Sequence, residues 1–265
     1  MCFNRGDNMQ SDVFGNDSEI RNFLITISYN GKNYHGWQIQ TNAVTVQEVF
    51  QTALENIIGD TAYSVKGCSR TDSGVHANMY CISLKMIHSI PCHRLLSALN
   101  RFLPSDISVL DIKEAEQDFH ARYSCKSKQY VYKIWNAEVR NPFLDGLAYH
   151  YKFPIDVTLL NDCCKAYIGR HDFTSFCTID NRDTNNMCRT VTDFRVERDG
   201  DMVIITVEAD GFLYNMVRIM VGTLIRIAQG KFNPDCISGI IEAKDRAKAG
   251  PTAPACGLYL NKVNY

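Results

Sequence analysis

The chain has 265 residues, of which 28 are lysine or arginine and 29 are aspartate or glutamate, so its formal net charge at pH 7 is -1. This balance excludes the strongly basic composition of many nucleic-acid-binding proteins, although a local basic groove is compatible with it. With 45% hydrophobic and 22% charged residues, the composition is that of a globular protein, which argues against a disordered, collagen-like or coiled-coil chain.

The cysteine content indicates a reducing compartment. There are 11 cysteines, an odd number, and the chain is too long to depend on disulfide bonds. Its first residues are polar and acidic, without the apolar core of a secretory signal. We therefore predict a cytoplasmic protein with mostly free thiols. No cysteines or histidines have the paired spacing of a zinc site, so we expect no bound metal.

The first predicted elements follow an acidic tail. Residues 1–20 contain one arginine against four acidic residues, a net charge of -3, and lack apolar periodicity, so we predict a disordered tail. Apolar alternation over Arg21–Tyr29 predicts a strand. Apolar residues at helical spacing predict a helix over Val46–Ile58, with a capping box that begins at Thr45 and a stop at Gly59.

The later elements mix strands and helices without the regular repeat of a parallel sheet. Strands are predicted at 80–85, 107–112, 130–135, 190–196 and 202–208, and helices at 95–103, 157–168, 212–229 and 234–243. This order predicts an α+β fold of two halves with mainly antiparallel sheets. We place the boundary near residue 118, which gives an N-terminal domain over 21–118 and a C-terminal domain over 119–265.

A polar loop at residues 67–77 contains side chains that are suited to chemistry. Arg70, Asp72 and His76 lie there among glycine and serine residues. A carboxylate between small residues is a common active-site construction, and a solvated turn accounts for the same composition equally well. Asp72 and His76 alone make a weak metal site, because a third ligand is lacking.

The predicted helix over 212–229 is apolar almost all round, which indicates a buried helix. It is short for a membrane span and is interrupted by polar residues, so we expect no membrane anchor. Arg218 lies in its middle, where a buried guanidinium needs a carboxylate or another strong acceptor. Asp72 is an attractive partner. The alternatives are a purely structural ion pair and an arginine that meets only water or substrate.

A basic segment follows residue 119, with aromatic side chains between the bases. From His120 to Arg140, five basic residues stand against one acid, a net charge of +4 (5 - 1); the bases are Arg122, Lys126, Lys128, Lys133 and Arg140. Such a segment suits phosphate contacts and base stacking, although an exposed strand with solvated lysines has the same composition. Nucleotide-cofactor and serine-hydrolase motifs are absent from the sequence.

Together these segments resemble the tRNA pseudouridine synthase A family. The residues similar to the family's catalytic loop are Ser69-Arg70-Thr71-Asp72-Ser73-Gly74-Val75-His76-Ala77. Further segments of the family pattern occur in order at 29–31, 34–38, 45–48, 118–122, 171–173, 210–218 and 257–260. The chain departs from the pattern at Ser69, Ser73, Ile39 and Cys256, and the change at Ile39 removes an arginine that the family usually has there.

The resemblance implies an isomerase that converts uridine to pseudouridine in the anticodon arm of tRNA, at nucleotides 38 to 40, without cofactor or metal. It also implies a homodimer with tRNA across both subunits. Each chain is expected to have two similar α+β halves flanked by helices, with the active site in the cleft between them.

The resemblance also implies roles for individual residues. Asp72 is expected to be the catalytic nucleophile and Arg218 its partner. Tyr130 is expected to stack on the target base, and Arg70 to take the place of the flipped uridine. Leu258 is expected to contact the base through its apolar side chain. The expected contacts to the RNA backbone are Arg122, Lys126, Lys128 and Lys133.

Two other classes of function are open from the residues alone. One is a non-catalytic RNA-binding module that uses the basic segment. The other is a thiol enzyme that uses Cys68, the cysteine beside the polar loop. The first differs from the isomerase at Asp72, because a pure binder gains nothing from a carboxylate that repels phosphate.

Overall fold

The computed structural model describes residues 20–87, 89–178 and 186–265, so all but one residue of the predicted acidic tail lies outside it. The strands within it are β1 (Arg21–Tyr29), β2 (Tyr63–Gly67), β3 (His76–Met86), β4 (Ile107–Glu114), β5 (Ser127–Trp135), β6 (Tyr149–His150), β7 (Gly169–Asp172), β8 (Cys188–Asp199), β9 (Met202–Ala209) and β10 (Leu258–Asn264). The α-helices there are α1 (Val46–Ile58), α2 (Cys92–Phe102), α3 (Val157–Cys164), α4 (Met216–Ala228) and α5 (Cys236–Ala243). The predicted α+β class is confirmed.

The described strands form one ten-stranded sheet in the order β4-β1-β3-β10-β5-β9-β8-β7, with β2 beside β3 and β6 beside β5. Two of its pairs are parallel, β3–β10 and β5–β6, and the others are antiparallel. In the β3–β10 pair, Tyr259 lies opposite His76. A strand from before residue 118 and one from after it are therefore neighbours in the same sheet. The division into two domains at that residue stays a prediction.

Helix α1 has the predicted bounds because its signals are local. Thr45 accepts a hydrogen bond from the N–H of Glu48, and the Glu48 side chain accepts one from the N–H of Thr45, which completes the predicted capping box. The apolar spacing buries one face of the helix, including Phe50 and Leu54, and the helix ends at Gly59.

All four of the other described helices have shifted ends, and α5 has the smallest shift, because it begins at Cys236 instead of residue 234. Helix α4 begins at Met216 instead of residue 212, because Asn215 adopts a φ of +62° and a left-handed residue does not fit inside a right-handed helix. Helix α3 ends at Cys164 instead of residue 168, since the chain tightens there into a 3-10 turn over Lys165–Tyr167. Helix α2 begins directly after Pro91, before the predicted start at residue 95.

The sequence patterns do not predict strands β2, β6, β7 and β10. The first three are short, and β6 has only two residues. Strand β10 lies in the interior of the sheet between β3 and β5. Its consecutive residues Leu258, Tyr259 and Leu260 are all buried, so the alternation that reveals a half-exposed strand is missing.

Helix α4 lies in the core, as its composition predicts. Within Met216–Ala228, only Arg218, Arg226 and Ala228 are not buried. In the part of the chain that the structure describes, no helix is long and apolar enough to cross a membrane. The two arginines are therefore the polar groups through which this helix reaches the surface.

Candidate active site

The loop between β2 and β3 carries Asp72 and is held in place just before that residue. The N–H of Trp37 donates to the carbonyl oxygen of Thr71 at 3.2 Å, and the Thr71 hydroxyl lies 2.8 Å from the hydroxyl of Tyr29. At Gly36, φ is +85° and a Cβ would lie 2.2 Å from the oxygen of Thr71, so this close contact requires glycine. The approach to Asp72 is thus fixed from the end of β1.

The chain turns immediately after Asp72. The N–H of Val75 donates to the carbonyl of Asp72 at 3.1 Å, and the N–H of Gly74 donates to the carbonyl of Tyr34 at 3.1 Å. The Ser73 hydroxyl donates to the same Tyr34 oxygen at 3.4 Å. With backbone contacts on both sides, the loop presents an Asp72 side chain that keeps 25% of its surface exposed.

Asp72 and Arg218 form the ion pair that the sequence suggests. Nη1 of Arg218 lies 3.3 Å from Oδ2 of Asp72, and the Arg218 side chain is 18% exposed. The same nitrogen donates to Oδ1 of Asn215 at 2.9 Å, while Nε donates to the carbonyl of Ala253 at 2.7 Å. The guanidinium is therefore oriented by two neutral acceptors and meets the carboxylate from a fixed position.

Asn215 is a site residue that the sequence analysis does not single out. It precedes α4 with a φ of +62°, and its Nδ2 donates to the hydroxyl of Thr178 at 3.0 Å. Its oxygen accepts from Arg218, so the strained residue holds the arginine that faces Asp72. A signal was present, because asparagine tolerates the left-handed region and stands directly before a strongly apolar run.

Tyr130 faces the same site from β5. Its side chain is buried, its hydroxyl lies 3.4 Å from the hydroxyl of Ser69, and its ring meets Phe212 edge-on with centroids 5.0 Å apart. Burial raises the pKa of the Tyr130 hydroxyl, and the nearby negative charge of Asp72 acts in the same direction. The phenol is thus protonated at neutral pH and is a poor base.

Leu258 and Arg70 complete the set around this site. Leu258 begins β10 directly opposite Tyr132, and Tyr132 lies two positions from Tyr130 on β5, so all three side chains lie on one face of the sheet. Arg70 is exposed and precedes Asp72 in the same loop. The structure therefore brings Asp72, Arg218 and Tyr130 together, with Leu258 on the sheet beside them and Arg70 at the solvent edge.

The four expected RNA contacts do not share one surface. Arg122 and Lys126 are exposed and Lys128 is half-buried, and Lys128 lies on the face of β5 that carries Tyr130. Lys133 lies on the opposite face, with Nζ 4.1 Å from the centre of the Tyr259 ring, and burial lowers its pKa. Strand β5 is moreover paired on both sides, by β10 and β9, so it is not an exposed edge strand.

Cys68 does not have the environment of a reactive thiol. It is fully buried and accepts a hydrogen bond from the N–H of Cys81 at 3.4 Å. Burial raises the pKa of its thiol to about 12. Because the thiolate is the nucleophilic form, the geometry argues against a thiol enzyme that uses this residue.

His76 is also occupied by the fold. The N–H of Gly31 donates to Nδ1 at 3.0 Å, so Nε2 carries the proton and donates to the carbonyl of Cys256 at 3.2 Å. The ring stacks on Tyr259 with centroids 4.5 Å apart. Burial lowers the pKa of this imidazole, which favours its neutral form. Across residues 20–87, 89–178 and 186–265, no three metal-ligating side chains come together.

Comparison with known proteins links this chain to enzymes that modify tRNA. A family model described as tRNA pseudouridine synthase matches residues 25–124 and 163–265. The tRNA pseudouridine synthase A of Thermoanaerobacter sp. (strain X514) is 44% identical over 246 residues, which cover 93% of this chain and 100% of that protein. The protein of the same name from Caldicellulosiruptor saccharolyticus is 43% identical over 246 residues, with the same coverage of both chains.

The matched segments contain most of the site. Asp72, Arg218 and Leu258 fall within them, whereas Tyr130 lies between the two. Among solved structures, a crystal structure of a Cbf5-Nop10-Gar1 complex superposes with a TM-score of 0.32 at 10% sequence identity, covering 76% of this chain and 53% of that chain. That TM-score is too low for the likeness to support a conclusion about fold or function.

Proposed function

The chain belongs to the tRNA pseudouridine synthase A family, which isomerises uridine to pseudouridine in tRNA, and we propose that it acts at nucleotides 38 to 40 of the anticodon arm. The proposed enzyme is a cytoplasmic homodimer that works without cofactor, with the RNA across both subunits. The choice of nucleotides rests on the resemblance of the loop over 69–77 to the family's catalytic loop.

One observation carries the proposed mechanism: a carboxylate that is 25% exposed lies 3.3 Å from a fixed guanidinium, beside a buried tyrosine. The reaction breaks the bond between C1′ of the ribose and N1 of the base, turns the base, and forms a bond between C1′ and carbon 5. Asp72 attacks C1′ as the base departs and holds the detached sugar. Arg218 favours the ionised carboxylate and keeps it aimed.

The proton balance assigns a second task to Asp72. The product carries a hydrogen at N1 and has lost the one at carbon 5. A general base must therefore remove the carbon 5 proton after the uracil ring has rejoined the sugar. The raised pKa of the Tyr130 hydroxyl makes a phenolate an unfavourable base at neutral pH. Once the ester to C1′ has broken, the Asp72 carboxylate is available to accept this proton. Delivery of a proton to N1 then completes pseudouridine and regenerates the carboxylate.

The remaining residues hold the flipped nucleotide. Taking a base out of its stack costs roughly a few kcal/mol. Arg70, exposed in the Asp72 loop, enters the space that the uridine leaves, while Tyr130 stacks on the flipped base and Leu258 packs against it. Lys128 lies on the Tyr130 side of the sheet, and with Arg122 and Lys126 it is proposed to contact RNA phosphates. Lys133 lies apart from Lys128, because its ammonium packs on the Tyr259 ring on the opposite face of the sheet.

Mapping pseudouridine in tRNA after incubation with the protein tests the proposal. We expect modification at nucleotides 38 to 40 with wild-type protein, none with Asp72→Asn, and full modification with Asp60→Asn, which removes the same charge from an exposed turn. Release of tritium from uridine labelled at carbon 5 reports turnover directly. Wild-type protein that binds tRNA and releases no tritium would establish a non-catalytic RNA-binding module instead.

A further inference from the structure

A cavity of about 310 Å³ lies at the far end of α4 from the Asp72 site. Three cationic side chains line it, Arg226, Lys231 and Arg246, together with Phe232 and the backbone around Pro251. None of the described residues that line it is acidic. Its volume is at the lower end of the roughly 300–1,000 Å³ that is usual for ligand pockets.

Among the described residues, two of the three cations, Arg226 and Arg246, have neutral hydrogen-bond partners. Nη1 of Arg226 donates to the side-chain oxygen of Gln229 at 3.2 Å. Arg246 is half-buried, and its two terminal nitrogens donate to the carbonyl of Ala249 at 3.5 Å and to the hydroxyl of Thr252 at 3.4 Å. Over the described ranges 20–87, 89–178 and 186–265, no carboxylate pairs with Arg226, Lys231 or Arg246.

Positive charge gathered without a counter-charge favours an anion in the cavity. Burial lowers the pKa of the Arg246 guanidinium, which shows that desolvation of this cation is not offset by an acid. The carbonyls at the end of a helix oppose an anion. Here, however, the carbonyl of Arg226 already accepts from the N–H groups of Lys231 and Phe232 at 3.0 and 3.3 Å, so the cations dominate.

The cavity and the Asp72 site are linked by residues 246–253, which pack along α4. At one end of this segment, Ala253 donates its N–H to the carbonyl of Arg218 at 3.0 Å. In the middle, Pro251 lies so close that a Cβ on Gly222 would be 1.7 Å from its oxygen. At the other end, Arg246 faces Arg226 across the cavity. The segment therefore runs antiparallel to α4 and connects the two sites.

The spacing of the two sites suits a nucleic-acid strand. Arg226 follows Arg218 by eight residues in the same helix, which is about 12 Å at 1.5 Å per residue. The proposed ligand is RNA, whose helices are A-form, and successive backbone phosphates along one strand lie several Å apart, so the distance corresponds to a few nucleotides. Phe232 adds an aromatic surface beside the cations, which suits a sugar or a base next to a phosphate.

We propose that the cavity formed by Arg226, Lys231 and Arg246, here called the α4 cationic cavity, binds a backbone phosphate of the tRNA a few nucleotides from the uridine at Asp72. This assignment rests on the function proposed for the Asp72 site. A phosphodiester of the bound tRNA is favoured over a small free anion, because Arg226 and Arg218 lie on the same helix, within reach of one bound strand.

Lys231→Gln tests the assignment against a matched control, Lys248→Gln. Both lysines are exposed, and Lys248 lies on the 3-10 turn over Arg246–Lys248 without lining the cavity. We expect Lys231→Gln to weaken tRNA binding about three- to tenfold and to lower the slope of log Kd against log salt by about one. Lys248→Gln is expected to change Kd by less than about twofold. Equal effects of the two variants would overturn the proposal.

Arg246→Gln and inorganic phosphate distinguish a phosphodiester site from a free-anion site and from a contact between subunits. Arg246→Gln should weaken tRNA binding at least as much as Lys231→Gln, with native circular dichroism as the check on folding. If millimolar inorganic phosphate raised the Tm of wild-type protein but not of Lys231→Gln, while both lysine variants bound tRNA equally, the cavity would be a free-anion site. A change in oligomeric state with unchanged tRNA affinity would assign the cations to a subunit interface.

Failure of this proposal is distinguishable from failure of the Asp72 mechanism. The cavity is tested by tRNA affinity in Lys231→Gln against Lys248→Gln, and it stands or falls independently of turnover. The mechanism is tested by tritium release in Asp72→Asn. Loss of turnover in Asp72→Asn together with equal binding by the two lysine variants would leave the isomerase in place and remove the phosphate site.

Discussion

Asp72 and His76 lie four residues apart in sequence, Asp72 in the loop after β2 and His76 at the start of β3, and have opposite environments. The Asp72 side chain is 25% exposed and faces Arg218. His76 is 1% exposed, and backbone groups occupy both of its ring nitrogens. Both residues have ionisable side chains and both belong to the same motif, so residue type does not separate them. The two residues differ in the accessibility of their polar atoms. The Asp72 carboxylate can contact a substrate, whereas both nitrogens of the His76 imidazole are already hydrogen-bonded within the protein.

The largest expected effect is that of Asp72→Asn, which should lower the rate of tritium release by more than about 10³-fold. The amide can neither attack C1′ nor accept a proton, yet it keeps the shape of the side chain. Because a partly exposed ion pair adds little to stability, we expect Tm to change little and tRNA binding to persist. A large fall in Tm with near-normal turnover per folded molecule would place Asp72 with His76 as a structural residue.

Replacing Arg218 tests whether the cation serves the chemistry or only the fold. Arg218→Leu should lower the rate by about 10²-fold, since Asp72 loses the adjacent charge that favours its ionised form. Arg218→Lys is the matched control, because it restores the charge but cannot donate to Asn215, Ala253 and Asp72 in one fixed plane. We expect partial recovery of the rate. Equal rates for the two variants would show that the charge itself does not matter.

His76→Leu should affect mainly stability. The substitution leaves the N–H of Gly31 and the carbonyl of Cys256 buried without their partner, and each such loss costs about 1–3 kcal/mol. We therefore expect the free energy of unfolding, measured with urea, to fall by about 2–3 kcal/mol. Turnover per folded molecule should fall less than it does in Asp72→Asn. A reversal of that order would mean that the imidazole takes part in the reaction.

Elements set by local signals were predictable from the sequence, whereas elements set by distant contacts were not. Helix α1 was predictable residue by residue, because its cap, its apolar spacing and its stop are all local. The need for an acceptor at Arg218 followed from the cost of an unpaired buried guanidinium, whereas Asp72 was one candidate partner among alternatives and was assigned by the family resemblance. The start of α4 was not predictable in the same way, because the left-handed conformation of Asn215 accompanies its contacts with Thr178 and Arg218.

Lys133 shows the same limit on the β5 strand. In sequence it belongs to a basic segment, and composition alone favours a solvated side chain there. In the structure β5 lies inside the sheet, between β10 and β9. One face of β5 therefore carries Tyr130 and Lys128, while the other places Lys133 on the ring of Tyr259. The neighbours of a strand are set by chain segments far away in sequence, and local spacing does not contain them.

The smallest expected effect is a dependence of stability on pH. Burial lowers the folded-state pKa of His76 below its ordinary value of 6.5, so below that pH the unfolded chain binds more protons than the folded one. The stabilising contribution is therefore complete above about pH 6.5 and declines as pH falls toward the lowered pKa. We expect Tm to fall between pH 7.5 and 5.5, and His76→Gln to reduce that fall.

His120 is the control that separates burial from mere titration. Burial also lowers its pKa, but its side chain is only half-buried, so solvent weakens the effect. His120→Gln should therefore leave most of the fall in Tm between pH 7.5 and 5.5 in place. If His120→Gln removed more of it than His76→Gln, the main pH-sensitive group would be His120 beside the basic segment. The neutral imidazole of His76 would then stabilise the loop, but its protonation would not explain the fall in Tm at low pH.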